Sequence, residues 1–174
     1  MSKILIVAEH DGARLNPSTS KCVSCAAKIA GASIDVLVLA TDGAAVAAQA
    51  AAITGVGKVL VADNAANVEP LSAVLAPQVA KLAAGYTHVF GPSTTFGKDL
   101  MPRVAALLGV GQVSDISGVD GAHTFKRPIY AGNAVLTVEV PADAVVVATV
   151  RVASFEAAAA GGSAAIEKVD AGVA

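Results

Sequence analysis

Tryptophan is absent and aromatic residues make up only 3% of the chain, too few rings for the stacking platforms that hold single-stranded nucleic acid. Basic charge is not in excess either. Lys and Arg number 12 against 14 Asp and Glu, giving a formal net charge of -2 and an isoelectric point near 5.8, so no electrostatic feature recommends a nucleic-acid partner. Cysteine is scarce: Cys22 and Cys25 are the only two, which is not the disulfide framework of a small secreted protein. Long apolar runs are missing as well. The uncharged stretch Gly43 to Gly57 is mostly Ala, Gly and polar residues, short of the roughly 18–20 strongly apolar residues of a membrane span. Near the start, Glu9 interrupts the run Ile4 to Ala8 too early for a signal peptide. A cytosolic protein without direct membrane insertion is expected.

What is present is alanine and alternation. The 174 residues suit one domain with a tail, and a chain of this size buries roughly 70% of its unfolded surface without needing disulfides. Hydrophobic residues reach 55%, with a mean hydropathy of +0.65. Short β-branched runs alternate with helix-length alanine-rich segments. Ile4 to Ala8 reads as a first strand, apolar at every position and so covered on both faces. Asn16 and Pro17 start a helix that runs to about Ala30. Strands then follow at Ile34 to Ala40, Lys58 to Ala62 and Thr87 to Gly91, with helices from Asp42 to Ile53, Glu69 to Ala84 and Lys98 to Leu108. Strand–helix repeats in this order predict a doubly wound parallel sheet with right-handed crossovers.

After Val113 the pattern changes. Phe125 to Tyr130 and Ala134 to Val140 flank Ala131-Gly132-Asn133, a hairpin with Gly-Asn at its tip. Its second arm alternates, with Leu136, Val138 and Val140 on one face, and is expected to be half-exposed. Ala144 to Val150 is continuously apolar and reads as a buried strand closing the sheet. From Ala157 onward, small residues with Gly161, Gly162 and Ser163 read as a linker or flexible tail over 157–174.

In open α/β sheets a ligand sits beyond the carboxyl ends of the strands, where strand order reverses. With a 3-2-1-4 order, that crevice brings Glu9, His10 and Asp11 to face Ser93, Thr94, Thr95, Gly97 and Lys98. The second loop has the look of a phosphate cradle at a helix N-terminus. It is not a Walker A loop, because five residues separate Gly91 from Gly97 and Asp99 stands where a Mg²⁺-binding hydroxyl would be. The candidates for binding are therefore Glu9, His10, Thr94, Thr95 and Lys98, against a purely structural turn. Cys22 and Cys25 lie at i, i+3 inside the first helix with no second ligand pair nearby, the position of buried thiols and not of a zinc or redox site. His10, His88 and His123 are isolated, and no catalytic centre or metal site is recognisable.

Three stretches go further. Ala8-Glu9-His10-Asp11 follows the first strand. Phe96-Gly97-Lys98-Asp99-Leu100-Met101-Pro102-Arg103-Val104-Ala105-Ala106 leads on to Val113-Ser114-Asp115-Ile116. Thr124-Phe125-Lys126-Arg127-Pro128-Ile129-Tyr130-Ala131-Gly132-Asn133-Ala134 is followed by Val150-Arg151 and Ser154-Phe155-Glu156. In order and spacing, across nearly the whole chain, these are similar to the N-terminal domain of the α subunit of electron transfer flavoprotein. The resemblance implies an α/β fold: a doubly wound three-layer sandwich with a mainly parallel sheet, Rossmann-like and adenine nucleotide alpha hydrolase-like, plus a C-terminal β-hairpin.

It also implies a function. Such a domain is a scaffold in a heterodimeric electron carrier that takes electrons from dehydrogenases at FAD and delivers them to a membrane quinone reductase or another acceptor. The carrier is cytoplasmic in bacteria and sits in the mitochondrial matrix elsewhere. The partner implied is the β subunit; from the residues themselves, the hairpin Phe125 to Val140, with Phe125, Ile129 and Tyr130 beside Lys126 and Arg127, is expected to meet it, against the reading that Phe125 and Tyr130 cover this domain's own sheet. The FAD contacts of the family belong mostly to a second domain that this sequence lacks, so residues 1–156 are expected to form the domain and 157–174 to lead towards the FAD-binding one. No cofactor is expected on this chain, and no enzyme activity. The alternative is a stand-alone AMP- or ATP-binding module resembling universal stress proteins, and a third reading is a small enzyme using His10 and Lys98 as acid–base groups.

Overall fold

The structure is a computed structural model that describes residues 1–172. Its centre is a seven-stranded sheet in the order β10-β3-β2-β1-β4-β9-β5, formed by β1 (Lys3–Val7), β2 (Ser33–Ala40), β3 (Lys58–Asp63), β4 (His88–Pro92), β5 (Gln112–Ile116), β9 (Val146–Val150) and β10 (Ala165–Lys168). Every pairing in it is parallel. The 3-2-1-4 order read from the sequence is present at its middle. Helices α1 (Ser18–Ala26), α2 (Ala44–Ala51), α3 (Ser72–Leu82) and α4 (Thr95–Leu108) cover it.

Because strand side chains alternate, each face has its own core. Ile4, Ile6, Val36, Val38, Phe90 and Val146 pack with Cys22, Val23 and Cys25 of α1 and Val46 and Ala50 of α2. On the other face Leu5, Val7, Leu37, Leu39 and Val147 pack with Leu75 and Val79 of α3 and Leu100 and Met101 of α4. The alanines let helix backbones lie close. Gly43, before α2, serves the same end, since a Cβ there would come 2.8 Å from Val61. The caps are sequence-encoded: Asn16 accepts the Ser18 N–H at 2.9 Å, and Gly109 closes α4 in the left-handed region at φ 69.

Two expectations need correction. Ala144 to Val150 does not close the sheet: β9 lies inside it, between β4 and β5, which is why all five of its residues are buried. The edge on that side is β5, which was not read as a strand because Gln112, Ser114 and Asp115 leave it only two apolar residues. The segment from 157 is not a free linker either. Thr54 N–H donates to the Ala159 carbonyl, and Gly161 and Gly162 N–H groups both donate to the Ala52 carbonyl. Strand β10 then pairs with β3, with Lys58–Glu167 and Lys168–Asp63 ion pairs at 2.8 and 3.2 Å. Backbone bonds do this docking, so the small residues that suggested flexibility are what permits it. Gly161 has φ 121, and a Cβ on Gly162 would overlap the Ile53 carbonyl. The end of that segment, 173–174, lies outside the described residues.

A small antiparallel sheet of β6 (Gly118–Val119), β7 (Thr124–Ile129) and β8 (Ala134–Glu139) hangs from the β5 side. It is the expected hairpin, with its tip at Tyr130–Asn133 and Phe125 fully buried against Phe90, ring centroids 6.3 Å apart.

Cys22 and Cys25 are buried and unoxidised. Desolvation raises both thiols, Cys25 to about 12 from an ordinary 9.0. Native protein should therefore react slowly with a thiol reagent at pH 8, and fast in denaturant. Up to the unfolded value both states hold the proton; above it only the unfolded state ionises, so the thiols subtract stability as pH rises from 9 towards 12. Urea melts against pH should show this loss, and a Cys22→Ala/Cys25→Ala variant should lose less over the same window.

Candidate functional site

Strand β1 ends at the point where its neighbours diverge, β2 to one side and β4 to the other. That is where a crevice is expected, and it is filled from within. The Glu9 carboxylate accepts the Thr94 hydroxyl at 2.8 Å and the Ser18 hydroxyl at 3.3 Å, both on Oε2. Thr94 is the N-cap of α4, its Oγ1 also accepting the Gly97 N–H at 3.4 Å. Ser18 is the first residue of α1. One carboxylate thus serves the positive ends of two helices, the role an anionic ligand would take. The second loop glycine has a packing reason as well: a Cβ on Gly97 would overlap the Pro92 carbonyl. It is a close helix–strand contact and not an opening for phosphate.

The other candidates lie apart. Thr95 and Lys98 are exposed on the first turns of α4. His10 turns towards β2, where its Nδ1 accepts the Gly12 N–H at 3.0 Å; the hydrogen must then sit on Nε2, which donates to the Leu39 carbonyl at 2.9 Å. Both ring nitrogens are engaged in local structure. Asp11 accepts the N–H groups of Arg14 and Ala13, and those bonds hold its carboxyl below the usual range. The structure therefore brings Glu9 and Thr94 together, and does not bring His10 or Lys98 to them.

A more open recess of about 420 Å³ lies beside Glu9, lined also by Arg14 and Asn16, and a more enclosed one lies one strand over, at the ends of β1 and β2. The enclosed one has a volume of about 300 Å³, with Val7, Leu39, Ala40, Leu75 and Phe96 as apolar walls. Asp11 and Glu69 line it too, and no Lys or Arg does. A phosphate at the first place would meet the Glu9 carboxylate, and at the second the Asp11 and Glu69 side chains.

Sequence reasoning missed Ser18, although its position after Asn16-Pro17 was the signal. It also missed the buried amide pair Asn67 and Gln78, joined at 2.6 Å, through which Asn67 reaches the carbonyls of Ala62 and Ala40 and fixes the floor of the recess. Of the remaining histidines, His88 is fully buried with Nε2 2.6 Å from the Ala122 carbonyl. Burial lowers its pKa, and it serves to tie the sheet to the loop entering the hairpin. No group of three or more potential metal ligands occurs among the described residues.

The family model for the electron transfer flavoprotein domain matches residues 4–174. The chain belongs to the electron transfer flavoprotein family. It is 54% identical over 167 residues to the electron transfer flavoprotein subunit alpha of Pseudomonas aeruginosa, covering 95% of this chain and 53% of that one. Identity is 44% over 164 residues with the subunit alpha of Paracoccus denitrificans, covering 94% and 52%. With the mitochondrial subunit alpha of Dictyostelium discoideum it is 40% over 171 residues, covering 94% and 48%. The chain spans about half the length of the curated relatives it matches. The stretches that carry the resemblance have distinct structural work: Glu9 closes the switch point, Gly97 seats α4, and Thr124–Ala134 builds the hairpin. No described helix is long and apolar enough to cross a membrane.

Removing the Glu9 carboxylate should be costly. Glu9→Ala leaves two hydroxyls without their acceptor and two helix ends without a counter-charge, an expected loss of about 1–3 kcal/mol. Glu9→Gln, which keeps an acceptor oxygen, should lose less. A double-mutant cycle with Thr94→Ala, followed by urea unfolding, should give non-additive losses; additivity would place the two side chains out of contact.

Proposed function

We propose that this chain is the scaffolding N-terminal domain of an electron transfer flavoprotein α subunit, which with a β subunit forms a heterodimer; the heterodimer as a whole holds FAD and carries electrons from dehydrogenases. The observation that carries the reading is the self-filled switch point. A domain of this architecture that keeps its own carboxylate where a phosphate would bind is built to support a cofactor held elsewhere. The family membership and the α-subunit relatives point the same way. In this reading Glu9, His10, Thr94, Thr95 and Lys98 are structural, residues 1–156 are the domain, and 157–174 is a connecting segment whose strand β10 docks along β3. The chain by itself is a carrier component without a catalytic centre, and its place is the cytoplasm or the mitochondrial matrix.

The test mixes the purified chain with a β-type subunit and follows sedimentation or calorimetry. Association with a dissociation constant of tens of micromolar or tighter is expected, about -6 to -7 kcal/mol. No association in that range contradicts the subunit reading. The chain alone should stay colourless through desalting, and a flavin spectrum that survives it would place the cofactor here.

A further inference from the structure

His88 opens β4 with its ring fully buried, between the main sheet and the turn that joins β6 to β7. Its Nε2 lies 2.6 Å from the Ala122 carbonyl and its Nδ1 2.7 Å from the Thr87 hydroxyl. A carbonyl can only accept, so in the neutral ring Nε2 carries the hydrogen and Nδ1 accepts from Thr87. The other neighbours are rings. Phe90 meets the imidazole edge-on at 5.8 Å, and His123, next to Ala122, is tilted against it at 5.6 Å. His123 Nδ1 is itself buried without a partner.

Thr87 gives this histidine a second state. Its Oγ1 accepts the Lys3 N–H at 2.9 Å and also lies 3.0 Å from the Lys3 carbonyl. The one hydroxyl hydrogen can point to His88 or to Lys3, but not to both. A proton added at Nδ1 would be donated to Oγ1, and the hydroxyl would turn to the Lys3 carbonyl. Both states keep their hydrogen bonds, so what opposes the charge is the dry surroundings. Desolvation holds His88 below its ordinary 6.5; the Ala122 carbonyl offsets part of this, and His123 adds to it. No carboxylate among the described residues relieves it. Asp120 on the same turn is paired with Lys126, and the Lys3 ammonium lies over the Tyr86 ring. On β1 and β9 the residues beside His88 are Ile4 and Val146, and α1 faces this side of the sheet with Ala26 and the protonated thiols of Cys22 and Cys25.

We propose that Thr87 and His88 form a proton-sensitive latch, in which a proton taken up by His88 loosens the small sheet from the main one while the rest of the fold stays closed. The turn that carries Ala122 and His123 lies against the ring, so lifting it is the movement that hydrates His88. That turn is tied into the small sheet. Val140 N–H donates to the His123 carbonyl at 2.8 Å, and the Asp120 and Gly121 N–H groups both donate to the Thr124 carbonyl. The turn therefore moves with β7 and β8, a local opening of one supersecondary unit. On the other side Ile4, His88 and Val146 stand in parallel register within the main sheet and stay in place. The packing of Phe125 against Phe90 keeps the unit shut at neutral pH. In the open state His88 is hydrated and regains its ordinary proton affinity. The latch is fully effective above 6.5 and weakens as pH falls from there through the lower closed-state value.

Amide hydrogen exchange followed by NMR on either side of 6.5, at about pH 7.5 and about pH 5.5, tests this on the unmodified chain, each rate being divided by the intrinsic rate at that pH. Protection of β7 and β8 should fall severalfold at the lower pH, whereas that of β1 and β2 should hold. His88→Gln keeps a donor for the Ala122 carbonyl but takes up no proton, and should remove the difference between the two pH values. Thr87→Val leaves a charged ring with an unpaired Nδ1–H, which costs more than an unpaired neutral acceptor. The His88 ring nitrogens should then titrate lower than in the unmodified chain. Equal loss of protection in β1, β2, β7 and β8 would make the event global unfolding and overturn the latch. So would unchanged protection of β7 and β8, or a pH effect that persists in His88→Gln. Should His88→Gln not fold, Thr87→Val decides: a His88 that titrates there as it does in the unmodified chain, or higher, overturns the part given to Thr87 and with it the latch.

Discussion

Glu9 sits just past the end of the central strand and holds the two helical layers together at the point where they meet. Its Oε2 takes the hydroxyl of Ser18, at the start of α1 on one face of the sheet, and that of Thr94, which caps α4 on the other. Most sheets of this type leave such a point open, and the positive helix ends there attract an anion. Here the anion is part of the chain. Beside that carboxylate, Gly97 seats α4 closely against Pro92, and His10 turns towards β2.

Much of this was legible in the sequence because the relevant signals are local. Continuous apolar runs gave β1 to β4, Asn16 and Gly109 gave helix ends, and the i, i+3 spacing of Cys22 and Cys25 gave two thiols on one buried face. What could not be read depends on contacts far apart in the chain. Strand β5 is held by β9 and by the Asp115 N–H bond to the Thr149 hydroxyl, not by its own composition. That β9 inserts between β4 and β5 is a matter of packing order. The docking of 157–168 uses main-chain bonds that any small residue can make. An acidic loop after a strand looks the same whether it faces a ligand or, as Glu9 does, a threonine 85 positions later.

The departures from local preference are informative for the same reason. Asp115, Tyr130 and Ala131 are the non-glycine residues with positive φ among those described. All lie in or beside the stretches that carry the family resemblance, and all are on the β5 side of the sheet. Asp115 is held in place by Thr149 and by Arg151 at 3.0 Å. Consistency across levels is the rule in a foldable sequence, and its breaches collect where something other than folding is served. Glu9 closes the switch point, and the positive-φ residues gather at the β5 side of the sheet.

Calorimetric titration of the chain with AMP and with ATP tests the closed switch point most directly. No saturable heat up to millimolar nucleotide is the expected result, because the phosphates would have to displace a carboxylate already bonded to both helix ends. Stoichiometric binding in the tens of micromolar, lost in Thr94→Ala, would contradict it and make this domain a nucleotide carrier.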